Sequence, residues 1–295
     1  MAFSKVALSI PDQLVRLEAR GLSFPDVARA ERYLSVIGYY RLSAYTRPFQ
    51  QNLTTHQFHA DVIFDDVLNL YIFDRQLRLL LLDALERVEV ALRTRISDIM
   101  CDRTNDTHWY LNPVYFDAKY DHARLLKEVR DYKDDFVTSY HQKYTTPADV
   151  PAWMGMQALT FGAVQKVLLN LRKREKESIC KSFGFEMIPM VTWVYAMTTL
   201  RNHAAHHART WNRTFHVNLP IGAPVPKTMR APIDNTNDNV LDGYALVLEM
   251  FMQHVSPSSH WWSRVCELIQ NYYDATPHGF HKASLLHRAR HLVKP

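Results

Sequence analysis

Residues 201–213 read RNHAAHHARTWNR. Wound as a helix, this segment separates into two faces. Met197, Leu200, Ala204, Ala208 and Trp211 form an apolar stripe, and the two alanines permit close packing. On the opposite side Asn202, His206, Arg209 and Arg213 recur at spacings of 4, 3 and 4, flanked by Arg201. Such a face suits phosphodiester cleavage. Arginine offers a permanent, forked positive charge that matches phosphate oxygens. Histidine can move a proton near neutral pH. In RNA the 2′-hydroxyl is an internal nucleophile, so the reaction needs no metal and no cofactor. A base takes the 2′-hydroxyl proton, an acid protonates the leaving 5′-oxygen, and cations stabilise the crowded phosphate. The products are a 2′,3′-cyclic phosphate and a 5′-hydroxyl.

The same residues admit plainer readings. Arginine and histidine on a solvated helix face are ordinarily surface, and a histidine near a helix end can cap it. His203 and His207 share the i,i+4 spacing of helical zinc ligands, but no HExxH and no third ligand accompany them, so no metal is expected. Two further groups invite both kinds of reading. Arg41 and Arg47 stand among Tyr39, Tyr40, Tyr45 and Phe49. With Arg41, Tyr45 and Arg47 as contacts they suit a stacking and phosphate surface for single-stranded RNA; otherwise they are an aromatic core with arginines at its rim. Glu86, Glu89 and Arg93 either support a cleft or form a paired helix face.

Composition narrows the architecture that must position these groups. Glycine occurs only 8 times in 295 residues, against an average usage of about 7%. That disfavours sandwiches, barrels and propellers. Neither GxxxxGK[ST] nor GxGxxG occurs, so phosphate-loop and dinucleotide-binding signatures are missing. The three cysteines are dispersed and support neither a disulfide framework nor a zinc site. No signal-peptide pattern and no apolar run of membrane-spanning length appears, so a cytoplasmic protein without a membrane partner is expected. Residues 187–233 contain no Asp or Glu but include Arg201, Arg209, Arg213, Lys227 and Arg230. The whole formal excess of +5 maps to that segment.

The apolar periodicity predicts helices over 11–21, 26–37, 64–100, 118–144, 153–173, 175–183, 189–211, 240–255 and 261–273. In the longest, Leu77, Leu81, Ala84, Val88, Leu92, Ile96 and Ile99 share one face. Asp74/Arg78, Asp83/Arg87 and Glu89/Arg93 are acid-before-base pairs at i,i+4. A length of ~36 residues implies a bundle spine or a hidden break. Residues 50–62 suit a loop or a short strand. Residues 220–239, rich in proline and asparagine, form a long loop, and a basic tail closes the chain.

Arg201-Asn-His-Ala-Ala-His206 fits the Arg-x4-His motif of the HEPN superfamily of helical ribonucleases. The longer string RNHAAHHARTWNR resembles the C-terminal signature of the Abi family, the AbiD/AbiF-like abortive-infection proteins of bacteria. IGYYRLSAY at 37–45, LYIFDRQLR at 70–78, LERVEVALR at 85–93 and PAW…LTFG between 151 and 162 also look like that family. The resemblance covers about residues 8–215 in family order. It marks 1–215 as an Abi-like helical domain and leaves 216–295 as a loop plus helical extension packed on it. It implies an all-α, HEPN-like multi-helix bundle and metal-independent RNA cleavage in anti-phage defence or toxin–antitoxin behaviour. Arg201 is nominated as the phosphate-binding cation and His206 as the proton-transfer residue, with Asn202, Arg209, Asn212 and Arg213 in support. His207 supports or competes for the proton-transfer role. The implied substrate is RNA, single-stranded or structured such as tRNA, and the implied restraint is an RNA or protein antitoxin. Sites of this superfamily are commonly shared between two motifs. One motif in one chain therefore predicts a homodimer. The alternative is a non-catalytic RNA-binding or phage-sensing module.

Overall fold

The computed structural model describes residues 6–220 and 241–275. Among them lie twelve α-helices and one two-stranded antiparallel sheet, so the fold is all-α as expected. The predicted loop beyond Pro220, with Lys227 and Arg230, and the basic tail lie outside the described residues. The chain sorts into two compact units, each discontinuous in sequence. One takes residues up to Leu79, then Arg209–Trp211, then the chain from Ser263; the other takes Leu80–Ala208 and Asn212–Trp262.

In the first unit, α1 (Ile10–Glu18) starts at Ser9, whose side chain accepts the Asp12 N–H, with Pro11 in the first turn. Asp26 caps α2 (Val27–Ile37) by accepting the Arg29 N–H at 2.8 Å. Gly38 alone separates α2 from α3 (Tyr39–Thr46). Its φ of +87° lets the chain turn there without a Cβ clash. Leu14, Leu17, Ala30, Leu34, Leu42 and Tyr45 are buried. The polar stretch after α3, open to either a loop or a short strand, forms two short strands, β1 (Gln50–Asn52) and β2 (Gln57–Phe58). Asp66 then opens α4 (Phe64–Thr104) by accepting the Ile63 N–H at 2.9 Å. Phe73 of α4 stacks at 4.5 Å on Tyr272 of the helix that ends the described chain.

The long helix has no hidden break: α4 is one α-helix of 41 residues, ~60 Å at ~1.5 Å per residue. In the second unit its Leu81, Ala84, Leu85, Val88, Leu92 and Ile96 are each fully buried. All three predicted acid–base pairs along it form. The other central helix of this unit is α10 (Met187–Ala205), against which α8 (Phe161–Asn170), α9 (Lys173–Ser182) and α11 (Leu241–Val255) pack. Trp193 of α10 is fully buried and meets Phe185 edge-on at 5.3 Å, and Phe185 lies 4.8 Å from Phe251 of α11. Truncating such a buried indole costs about 3–5 kcal/mol.

Three predicted helices are shorter or divided. The segment 118–144 forms α5 (His122–Asp131) and α6 (Asp135–Lys143). Extended Asp134 between them caps α6. The segment 153–173 divides into α7 (Ala152–Ala158) and α8, because Thr160 is extended and accepts the Ala163 N–H at 3.2 Å. The segment 189–211 ends as α-helix at Ala205. The last helix, α12 (Trp261–Ala275), is close to expectation.

Candidate active site

The early stop of α10 reshapes the candidate site. Met197, Leu200 and Ala204 are buried, as the apolar stripe requires. At Ala205 the helix closes: the His207 N–H donates to Ala204 O at 3.1 Å and the Ala208 N–H to His203 O at 2.9 Å. This paired closure ordinarily places glycine at its left-handed position. Here His207 takes that place, with φ +56°. A left-handed residue with a Cβ costs ~1–2 kcal/mol, so the chain carries local strain at a histidine of the motif. The expected polar stripe Asn202, His206, Arg209, Arg213 is therefore not a helix face. His206 is the helix cap, and Arg209, Asn212 and Arg213 belong to the segment beyond. The helical zinc pair fails for the same reason. His203 instead donates Nδ1–H to Thr199 O at 2.8 Å and meets the Phe215 ring at 5.6 Å.

Arg201 sits in the last turns of α10 with its side chain about one-third exposed. Its Nε is 3.5 Å from Glu89 Oε2 of α4. Its Nη1 donates to Asn202 Oδ1 at 3.4 Å. Glu89 is nearly buried and also pairs with Arg93. Arg93 in turn donates Nη1 to the carbonyls of Met156 and Leu159, where α7 ends. Cations are favoured at that end of a helix. Two guanidinium groups thus share one carboxylate, and the cluster keeps one net positive charge beside the motif. Of the Glu86/Glu89/Arg93 group, Glu89 is the member that reaches the candidate site. Asn202, His206 and His207 are exposed.

Beyond the helix, residues 209–211 are held by a group the motif does not contain. Asp74 is fully buried. Its Oδ1 accepts from Thr210 N (3.1 Å), Thr210 Oγ1 (2.6 Å) and Trp211 N (2.7 Å). Its Oδ2 accepts from Tyr45 Oη at 2.6 Å and from Arg78. Every strong acceptor direction of the carboxylate is used, which is what a buried charge requires. Burial and the Asp74 charge push the Tyr45 hydroxyl well above the ordinary tyrosine range. Tyr45 is thus core and cannot stack on RNA, a correction to the expected surface, whereas Arg41 and Arg47 are exposed. Arg209 donates Nη1 to Ala44 O at 3.2 Å. Asp74 and Thr210 escaped the motif-based reading. One signal was available: Asp74 lies in phase with Leu70, Leu77 and Leu81, so its pair with Arg78 falls on the buried face.

A helical fold with an Arg/His-bearing helix end defines the class, and comparison with known families assigns it. A model of the Abi-like protein family matches residues 32–212, more than half of the chain, and the chain belongs to that family. The family name refers to abortive infection, a form of defence against phage. No curated protein and no solved structure matches the chain. Among the described residues, no helix is long and apolar enough to cross a membrane.

Proposed function

We propose that the protein is a metal-independent endoribonuclease of the HEPN type that acts in phage defence. The observation that carries this reading is the end of α10. It holds Arg201 partly exposed on a cluster of net positive charge and leaves the His206 imidazole in solvent one and a half turns further on. Arg201 binds the scissile phosphate. A histidine takes the 2′-hydroxyl proton as that oxygen attacks phosphorus. The bond from phosphorus to the 5′-oxygen breaks, and a second histidine supplies the leaving oxygen with its proton. Arg201 and the cap His206 are five positions apart, ~140° around an ideal helix axis. The two side chains diverge within one chain. Two copies facing each other supply two Arg201 and two His206 to one cleft, one imidazole as base and one as acid. Membership in the Abi-like family supports the defence role. Uncontrolled cleavage of cellular RNA makes the same protein a toxin, to be restrained by an RNA or protein antitoxin.

The test is incubation of purified protein with RNA in EDTA beside Arg201→Ala and His206→Ala. Cleavage to 5′-hydroxyl and 2′,3′-cyclic phosphate ends, lost in both variants, is the expected result. Cleavage by both variants at the parental rate sinks the proposal. RNA binding without cleavage by the parent identifies a non-catalytic RNA-binding module instead.

A further inference from the structure

The family-like string at 37–45 does two jobs, and only one is structural. Leu42 and Tyr45 point into the core. Tyr39 accepts a hydrogen bond from Arg20 at 3.0 Å. Tyr40, between them in sequence, is 91% exposed, more than any other large hydrophobic side chain among the described residues. The core does not use this ring, and leaving it in water forgoes the burial that usually stabilises an aromatic. Arg41 beside it is exposed. Arg47 is exposed too and caps the C-terminal end of α3, seven residues on from Tyr40.

Charge gives the surface a direction. Residues 32–60 contain no Asp or Glu, but carry Arg32, Arg41 and Arg47. A long acid-free stretch with an exposed ring suits a polyanion with flat bases, since phosphates meet the arginines and a base meets the ring. Within the same unit, Arg209 donates Nη1 to Ala44 O, which ties α3 to an arginine of a second acid-free stretch.

We propose that α3 is a binding platform for single-stranded RNA, with one base stacked on Tyr40 and phosphates on Arg47 and Arg41. Single strands are the form that fits, because a duplex hides its base faces. The platform deepens the ribonuclease reading and rests on it.

The experiment uses the full chain carrying His206→Ala, so that RNA is bound and not consumed. Fluorescein-labelled oligouridine is titrated by anisotropy over a series of salt concentrations. Tyr40→Ala is expected to weaken binding by about tenfold, and Tyr40→Phe to keep it, since stacking needs the ring and not the hydroxyl. Arg47→Ala is expected to reduce the slope of log affinity against log salt by ~0.7, the loss of one phosphate contact on a single strand. Both substitutions are at the surface, and unchanged circular dichroism and melting confirm the fold. Equal binding by Tyr40→Ala and its parent overturns the platform. So does an equal loss in Tyr40→Phe and Tyr40→Ala. If RNA is still cleaved when His206 is restored, the ribonuclease reading survives that outcome. A parent that neither binds nor cleaves RNA overturns both.

Discussion

Glu89 Oε2 lies 3.5 Å from Arg201 Nε, so the arginine nominated for phosphate is already oriented by a carboxylate. That carboxylate is shared with Arg93, and Arg93 is fixed by the carbonyls of Met156 and Leu159. The pairing opposes Nε with charge, while Nη1 rests on Asn202 Oδ1 at the partly exposed end of the guanidinium. Glu89 is a positioning residue in this arrangement, since it acts through Arg201.

Replacing Glu89 therefore separates orientation from charge. Glu89→Gln keeps the shape but removes the anion between two guanidinium groups. Removing one partner of a nearly buried pair is destabilising, here by about 2–4 kcal/mol. RNA is expected to bind at least as tightly, because the cluster gains a net positive charge, while cleavage falls by about tenfold. Urea denaturation, anisotropy titration and a single-turnover cleavage assay measure the three effects. Weaker RNA binding in Glu89→Gln contradicts the assigned role.

His207→Gly decides between the two neighbouring histidines. Glycine fits the left-handed closure of α10 without a Cβ clash, which relieves ~1 kcal/mol of backbone strain at that position, so the fold is expected to be kept. Cleavage is expected to persist if His206 moves the proton. Loss of cleavage in a fully folded His207→Gly protein transfers that role to His207.

Shared sites make a further prediction. His206→Ala protein is inactive alone. Mixed in excess with the parent and allowed to exchange subunits, it is expected to lower cleavage per parental chain severalfold, since a mixed cleft keeps one imidazole where the reaction needs both a base and an acid. Light scattering reports the dimer, and an unmixed control gives the baseline. A monomer, or parental cleavage untouched by excess variant, rules out the composite site.

The knot around Asp74 is predicted to dominate local stability. Asp74→Asn leaves Arg78 without its counter-charge and sets an amide donor against either Arg78 or the N–H groups of Thr210 and Trp211. The expected cost is about 3–5 kcal/mol. Thr210→Val removes one hydrogen bond and is expected to cost about 1–2 kcal/mol. The midpoints of urea unfolding give both.

Alkaline pH probes the buried hydroxyls. Burial pushes Tyr120 and Tyr244 up to about 12, while Tyr45 and Tyr110 are raised further. Unfolded tyrosine titrates near ~10. Each of these groups thus contributes stability that is whole below pH ~10. That contribution is lost as pH rises from there through the folded value. Stability is expected to be flat toward pH ~9 and to fall steeply above it. In Tyr244→Phe, which lacks the bond from the hydroxyl to Val217 O, the fall should be shallower. An unchanged alkaline slope in that variant assigns the effect elsewhere.

Local chemistry decided what could be read from the chain. Pro11, Gly21, Asp26 and Gly38 punctuate the chain in residue types that do little else, so the first two helices were legible, whereas α3 was not. The pairs along α4 were legible from spacing, but spacing does not reveal burial. Asp74/Arg78 and Asp83/Arg87 look alike in sequence, yet only the first is inside. Asp134 and Thr160 break helices with side chains that equally suit an exposed helical position. The end of α10 was illegible because its left-handed residue is a histidine and not a glycine. Tyr40 and Tyr45 are five residues apart in one aromatic cluster. Only the packing of α3 shows that Tyr45 is interior and Tyr40 is exposed.

The bonds from Thr210 to Asp74 join residues 136 positions apart. During synthesis the first partner is made long before the second, and the carboxylate has no backbone donors to accept until Thr210 and Trp211 leave the ribosome. A chain interrupted before that point carries Arg201 and His206 but lacks the bonds that hold the segment after them. The order of translation therefore makes the segment after the motif the last part of this knot to be fixed, once Trp211 has emerged.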